Sequence, residues 1–114
     1  MVSEKAIQRV FTDIAYLYGR LWYHTYDSRR SASGFPDLVV VLPRVVVYAE
    51  IKTAKGRVTE TQVEWLKALG QAGSLVAVLR PGCEDQWVHL MADSRVTGRR
   101  LNFDDGAVLM EGIG

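Results

Sequence analysis

Residues 35–53, FPDLVVVLPRVVVYAEIKT, decide the fold of this 114-residue chain. Two apolar runs rich in β-branched residues are separated only by Pro43-Arg44. Runs of this kind predict buried strands, here over Asp37–Leu42 and Val45–Lys52. The short connection between them predicts an antiparallel hairpin.

Three charged residues lie at the ends of these predicted strands. A hairpin that turns at Pro43-Arg44 places Asp37 opposite Glu50. Side chains two positions apart on a strand point to the same face, so Lys52 shares the face of Glu50. We therefore expect two carboxylates and one ammonium group to converge at one end of a sheet.

The segments on either side of the hairpin predict helices and further strands. Apolar residues at helical spacing predict an amphipathic helix over 3–19, with Ser3 as its N-cap and Gly19 after its end. Thr59 and Gln62 match the capping box that starts a second helix. The other predicted elements are strands over Leu21–Tyr26 and Ser74–Leu79, a short helix over 84–92 and an edge strand over Leu101–Met110.

This order of elements, α-β-β-β-α-β with a tail from residue 94, predicts an α/β fold. A helix between two strands favours a parallel pair, so the sheet is expected to be mixed and flanked by helices. The chain suits a single domain over residues 1–114, because no linker, repeat or low-complexity run divides it.

Composition excludes several classes of protein. Cys83 is the only cysteine, so the chain has neither an intrachain disulfide nor a cysteine zinc cluster. Neither glycine motif of nucleotide-binding proteins is present, so we expect no nucleotide cofactor. The apolar runs are far shorter than the roughly 20 residues that cross a bilayer, and the first residues lack a secretory pattern. We expect a cytoplasmic protein with no membrane partner.

Charge distribution says more than the net charge of +1. Ten of the 14 basic residues are arginine, a side chain suited to bidentate contacts with phosphate. The segment from Ser28 to Arg57 contains six basic residues around the two acids Asp37 and Glu50. The middle of the chain is therefore basic around two isolated carboxylates.

The expected cluster of Asp37, Glu50 and Lys52 suits phosphodiester hydrolysis. Two crowded acids repel unless a cation lies between them, and oxygen ligands of this kind suit Mg²⁺ or Mn²⁺. Such a cation activates water, and Lys52 can position that water or neutralise developing charge. The alternative is an exposed Glu50–Lys52 ion pair, but Glu50 follows an apolar run that draws it toward the core.

The wider pattern resembles a known nuclease superfamily. Its elements are Glu4, Gly34-Phe35-Pro36-Asp37-Leu38, Glu50-Ile51-Lys52, and Gln62 on the helix after a glycine-containing loop. Together they resemble the PD-(D/E)XK nucleases, and specifically the VRR-NUC branch. The stretch KTAKGRVTETQ, residues 52–62, is similar to the segment that joins the catalytic strand to the next helix in that branch. The resemblance extends from about Glu4 to Pro81.

This resemblance implies a restriction-endonuclease-like core and a role for each matched residue. Asp37, Glu50 and the backbone carbonyl of Ile51 are implied to bind Mg²⁺ or Mn²⁺, and Lys52 to be the catalytic lysine. The compact stand-alone members look like phage enzymes that act as homodimers on branched DNA such as Holliday junctions. We accordingly expect the chain to act in the cytoplasm of a phage-infected or bacterial host cell.

The resemblance also places Glu4 and Gln62 at the catalytic site, although each has a structural explanation. Glu4 can interact with the helix dipole. The capping position of Gln62 is sufficient to explain this residue without a catalytic role.

Several polar residues near the predicted strands are candidate DNA contacts. His24 lies on the aromatic strand, where the alternative is a packed or surface residue. The loop before Asp37 and the loop after Lys52 offer hydroxyl, guanidinium and ammonium groups to phosphate. The alternative for both loops is a solvated surface. The loop residues in question are Ser28, Arg29, Arg30, Ser31, Ser33, Lys55 and Arg57.

The sequence thus predicts a metal-dependent DNA endonuclease, and two alternatives remain open. The specific hypothesis is a homodimer that resolves branched junctions, because two symmetric nicks need two sites. A nuclease for flaps, single strands or nicked DNA would use the same residues. A non-catalytic DNA-binding module would retain the fold, although it would have no need for two acids facing phosphate.

Overall fold

The computed structural model describes residues 2–26 and 32–96 and, by its backbone, the strand at 108–111. It shows a five-stranded mixed sheet with helices on both faces. The elements in chain order are α1 (Glu4–Leu17), β1 (Leu21–His24), β2 (Leu38–Val41), β3 (Val46–Ile51), α2 (Glu60–Gln71), β4 (Leu75–Leu79), α3 (Glu84–Ala92) and β5 (Val108–Glu111).

The sheet has the strand order β1-β2-β3-β4-β5. β1, β2 and β3 are antiparallel neighbours, whereas β3 pairs with β4, and β4 with β5, in parallel. The predicted mixed sheet and the predicted order of elements are confirmed. β5 overlaps the predicted edge strand, of which residues 101–107 lie outside the described part of the chain.

The central hairpin has the predicted register. Leu42 N donates a hydrogen bond to Val45 O at 2.9 Å, so the chain turns at Pro43-Arg44. Leu38 lies opposite Ala49, so Asp37, just before Leu38, comes next to Glu50, just after Ala49. Asp37 and Glu50 are therefore neighbours across the end of the hairpin.

Both long helices begin at the predicted caps. Ser3 Oγ accepts a hydrogen bond from Ala6 N at the start of α1, and the left-handed Gly19, at φ 71°, follows its end. At the start of α2, Thr59 and Gln62 form a complete capping box. These local signals act within one turn of helix, which is why the sequence alone locates them.

The two faces of the sheet have different partners. Alternate β3 residues Val47, Ala49 and Ile51 join α1 and α3 in the larger core cluster. Its largest side chain, Trp87, is fully buried, meets Phe11 edge-to-face and donates a hydrogen bond to that residue's carbonyl at 2.9 Å. The smaller cluster forms where Leu66, Val76 and Val78 pack between α2 and β4.

This division decides where the charged residues of β3 lie. Glu50 is paired with Val78, a residue of the smaller cluster, so its side chain belongs to the α2 face. The larger core fills the opposite face with apolar side chains. The candidate site is therefore formed at one end of β3, beneath the start of α2.

No helix in the described residues combines the length and apolarity that a bilayer crossing requires.

Candidate active site

Asp37 is fixed by backbone contacts with both neighbouring strands. Its Oδ2 accepts a hydrogen bond from Ile51 N at 2.8 Å. Its carbonyl accepts one from Thr25 N at 2.9 Å, and Thr25 Oγ1 donates to Pro36 O at 2.9 Å. The carboxylate of Asp37 is thus held against the end of β3.

Glu50 is the most unusual residue of the structure. Its side chain is 1 % exposed, and its Oε2 has no hydrogen-bond partner among the described residues. Burial raises the pKa of Glu50 from 4.5 to about 10, aided by a hydrogen bond and charge repulsion from Asp37 and, more weakly, by Glu4. Lys52 acts in the opposite direction. Glu50 without a cation is therefore a protonated, buried carboxyl at neutral pH.

The backbone N–H groups of the two residues after Glu50 point toward different neighbouring strands. Lys52 N donates to Leu79 O at 3.0 Å, toward β4, whereas Ile51 N donates to Asp37, toward β2. The N–H and C=O of one strand residue share an edge, so the carbonyl of Ile51 also faces the side of Asp37. Two carboxylates and one carbonyl oxygen are consequently grouped at this edge.

Lys52 is buried at 8 % exposure, although its strand has ended. The loop that follows folds back over it, and a Cβ at Gly56 would lie 3.4 Å from Lys52 Cδ. Arg80 holds this loop, donating from Nη1 to the carbonyls of Thr53 at 2.8 Å and Gly56 at 2.6 Å. Lys52 is thereby held beneath this loop, close enough for its charge to act on the pKa of Glu50.

The segment before Asp37 is anchored on α2. Gly34 has a left-handed φ of 84°, and a Cβ there would lie 2.6 Å from the carbonyl carbon of Thr61. Trp65 Nε1 donates to Ser33 O at 3.0 Å, and its ring meets Phe35 at 5.1 Å between centroids. Trp65 therefore anchors the loop from a half-buried position.

A cavity of about 480 Å³ opens beside Asp37. Gln62 lines it while its Oε1 accepts a hydrogen bond from Thr59 N at 2.9 Å, so one residue both caps α2 and borders the cavity. Ser33, Thr25 and Tyr26 form other parts of the wall. The cavity gives solvent and a polar ligand access to Asp37.

The remaining predicted residues lie at different distances from this centre. Glu4 is exposed in the first turn of α1, near enough to affect Glu50 electrostatically. Lys55 and Arg57 are exposed on the loop after Lys52. His24 does not line the cavity beside Asp37; it lines a groove next to α1. Ser28, Arg29, Arg30 and Ser31 lie outside the described residues.

Two contributors were missed at the sequence level. Thr25 fixes the backbone of Asp37, and Arg80 fixes the loop over Lys52. A signal for Arg80 was available, because β3 and β4 are parallel and parallel strands end at the same edge. Arg80 follows β4 as Lys52 follows β3. No comparable signal in the sequence indicated Thr25.

The donor set of this edge fits a small divalent cation. Oxygen ligands suit Mg²⁺ and Mn²⁺, and Mg²⁺ retains several waters when one or two carboxylates bind it. Burial of the unpartnered Oε2 of Glu50 costs folding free energy, and a cation bound to this oxygen would remove that cost. No third His, Cys, Asp or Glu completes a cluster within the described part of the chain.

Comparison with known proteins places the chain in a family. The model of the VRR-NUC domain family matches residues 4–81. This chain belongs to the VRR-NUC family. The predicted membership is thus confirmed, and the matched range runs from Glu4, in the first turn of α1, to Pro81, just after Arg80.

The VRR-NUC family is of the PD-(D/E)XK nuclease type, so the chain has a nuclease-type function that acts on DNA. A solved structure described as a VRR_NUC domain protein shares the fold, with a TM-score of 0.57 and 17% identity. The alignment covers 94% of this chain and 93% of that one. A search of curated protein sequences found no match.

Proposed function

We propose that this VRR-NUC protein is a Mg²⁺- or Mn²⁺-dependent endodeoxyribonuclease that cleaves branched DNA, with Holliday junctions as the specific hypothesis. The observation that carries the proposal is the buried, unpartnered Oε2 of Glu50 beside Asp37. A protein that only binds DNA gains nothing from two acids directed at phosphate. Their stability cost is understandable when they serve a reaction.

Asp37, Glu50 and the carbonyl of Ile51 would hold the cation in this proposal. The bound ion would supply Lewis-acid activation of water and phosphate. Asp37 is already oriented by Ile51 N, so its carboxylate needs little rearrangement before binding. Glu50 would release its proton when the cation takes the place of that proton.

Lys52 would position the attacking water or neutralise charge on the phosphate oxygens in the transition state. Its burial and the loop held by Arg80 favour one location for the ammonium group. A preorganised charge in a partly desolvated site stabilises a transition state more than a mobile one does. Gln62 borders the cavity beside Asp37, and the charge of Glu4 acts on Glu50, so both would assist at the metal site or orient the DNA.

Two symmetric nicks in a junction need two sites, and one chain has one Asp37–Glu50–Lys52 cluster. We therefore propose a homodimer with twofold symmetry. Phosphate contacts would come from the exposed Lys55, Arg57 and Ser33, and from four residues of the basic segment before Asp37, namely Ser28, Arg29, Arg30 and Ser31. Affinity should then depend strongly on salt and weakly on base sequence.

The test is cleavage of end-labelled DNAs in Mg²⁺, Mn²⁺ or EDTA. The set contains a four-way junction, a flap, a plain duplex and a single strand. Asp37→Ala and Lys52→Ala are the test variants, and Asp85→Ala, an exposed acid on α3, is the matched control. Paired junction nicks that disappear with EDTA and in both test variants would support the proposal.

Two other outcomes have different meanings. Cleavage of the flap or single strand alone would keep the catalytic proposal and replace the Holliday junction as substrate. Binding without cleavage of any DNA would reject the enzyme and favour a non-catalytic binding module.

A further inference from the structure

A second cavity lies on the other side of β1, between this edge strand and α1. It is a groove of about 530 Å³, lined on the helix side by Lys5, Arg9 and Asp13 and on the strand side by Trp22 and His24. Its volume is in the range of roughly 300–1,000 Å³ that small-molecule sites occupy. No residue of the Asp37–Glu50–Lys52 cluster lines it.

The basic and acidic residues of this groove lie at different ends of its helix side. Lys5 and Arg9 are one helical turn apart and therefore lie on the same side of α1. Neither forms an ion pair with any other residue in the described ranges. The one acid of the lining, Asp13, follows a turn later, so the basic part of the groove is the part next to Glu4. Glu4 is also the α1 residue whose charge reaches Glu50.

Trp22 gives the groove an aromatic wall. It is 39 % exposed, and its ring is stacked on the imidazole of His24 at 6.0 Å between centroids and 28° between planes. His24 is in turn packed on Tyr26, with centroids 4.0 Å apart. A ring that is held by neighbours but still open on one side is suited to stacking on a base.

The groove borders the catalytic cavity. His24 lines the groove, whereas the next two residues, Thr25 and Tyr26, line the cavity beside Asp37. Thr25 also donates its backbone N–H to Asp37. A nucleic-acid strand that passes the end of β1 can therefore contact both cavities without crossing the core.

We propose that the α1–β1 groove binds an unpaired DNA strand that leaves the branch point of the substrate. Lys5 and Arg9 contact its phosphates, and Trp22 stacks on one of its bases. A duplex does not satisfy this site, because its bases are already stacked on one another and offer no free face to Trp22. The assignment rests on the proposed function of cleaving branched DNA. A branched DNA with a free strand would contact this groove in addition to the cavity beside Asp37, whereas a fully paired four-way junction would contact that cavity alone.

Binding is measured by fluorescence anisotropy in EDTA, so that no cleavage occurs. The labelled probes are an oligo(dT) single strand, a blunt duplex, and a fork made of the same duplex with a dT arm. The variants are Trp22→Ala, Trp22→Phe and the double variant Lys5→Ala/Arg9→Ala. Tyr16→Ala and Arg44→Ala are matched controls, because both residues are exposed and outside the groove.

Trp22→Ala should weaken binding of the single strand and fork roughly tenfold, the order that one stacked base contributes. Trp22→Phe should retain most of the affinity, and duplex binding should not change. The double variant should reduce the slope of log K against log salt for the single strand by about 1.4, since each lost phosphate contact removes about 0.7. Melting temperatures establish that each variant is folded.

Two results of the binding assay would overturn the assignment. One is an equal loss of duplex and single-strand affinity, and the other is a change of oligomeric state by Trp22→Ala with DNA binding unaltered. Cleavage in Mg²⁺ separates this inference from the proposed function. If the wild type cleaves no DNA but Trp22 still governs strand binding, the groove assignment stands and the nuclease proposal fails. If cleavage persists with no preference dependent on Trp22, Lys5 or Arg9, the groove assignment fails alone.

Discussion

The capping box at the start of α2 and the acid pair at the end of β3 are both polar clusters, but their environments are opposite. In the exposed capping box, Thr59 Oγ1 accepts from Gln62 N at 3.2 Å, and Thr59 N donates to Gln62 Oε1 at 2.9 Å. Glu50 is buried, and its Oε2 has no partner among the described residues. The first cluster stabilises the fold, whereas the second costs stability, a cost that the cation of the proposed function would offset.

The largest expected effect comes from Glu50→Gln, which removes the acid and keeps its shape. We expect Mg²⁺-dependent cleavage to fall about 10³-fold, since metal activation contributes several kcal/mol and each 1.36 kcal/mol is tenfold in rate. The metal-free variant should be at least about 1 kcal/mol more stable at neutral pH, because an uncompensated buried acid is gone. Cleavage assays and urea unfolding in EDTA measure the two quantities.

Glu64→Gln, on the exposed side of α2, is the control for this substitution. A variant at Glu50 that retained cleavage and lost stability would place that residue among the groups that stabilise the fold.

Gly34→Ala should cause the second largest effect, a loss of folding stability. The new Cβ would lie 2.6 Å from the backbone of Thr61, at a φ of 84° that disfavours any side chain. We expect a loss of about 2–4 kcal/mol from steric overlap and backbone strain. Gly73→Ala is the control, because it has φ 102° but no atom within 4 Å. If both variants lost the same free energy of unfolding in urea, the contact between the loop and α2 would not contribute to stability.

The pH dependence of metal-free stability is the next effect in size. Folding raises the pKa of Glu50 from 4.5 to about 10, so the folded state binds this proton more tightly than the unfolded state. The resulting stabilisation is complete below pH 4.5 and is lost as the pH rises toward 10, by at most about 1.4 kcal/mol per pH unit. Urea unfolding in EDTA from pH 5 to 8 should show this slope in the wild type.

Glu50→Gln supplies the reference for that slope, because it cannot titrate at residue 50. Identical slopes in the two proteins would mean that the buried carboxyl does not govern the pH dependence.

Thr59→Ala should have the smallest effect. The loss of one N-cap hydrogen bond costs about 1 kcal/mol, and cleavage per folded molecule should remain unchanged. Ser3→Ala removes the corresponding cap of α1 and should cost a similar amount. Thermal unfolding and cleavage, measured on the same samples, test this. A large fall in cleavage by Thr59→Ala alone would link the cap to the catalytic site through Gln62.

Local and periodic signals made most of this fold predictable. The hairpin register followed from the position of Pro43-Arg44, and the helix starts followed from Ser3 and Thr59. That register alone brought Asp37 to Glu50. The order of the elements was sufficient to predict a mixed sheet.

Contacts between distant segments were not predictable in the same way. The parallel pairing of β3 and β4 indicates that Arg80 lies near the loop after Lys52, but the atoms that it contacts, the carbonyls of Thr53 and Gly56, depend on the tertiary packing. The contact of Trp65 with the carbonyl of Ser33 depends on it in the same way. The position of His24 depended on which face of β1 met α1, and its pairing with Leu38 decides this. Sequence patterns give the face of a strand only when one face is clearly apolar, and β1 (LWYH) has aromatic side chains on both faces.

The most direct test of the central claim is thermal unfolding of the EDTA-treated protein as Mn²⁺ is added. Binding to Asp37 and Glu50 predicts a saturable rise in Tm, on the order of 10 °C when Mn²⁺ is at 100 times its Kd. The rise should be absent in Asp37→Asn and Glu50→Gln and intact in Glu64→Gln. An equal rise in all four proteins, or none in the wild type, would contradict a metal site at the end of β3.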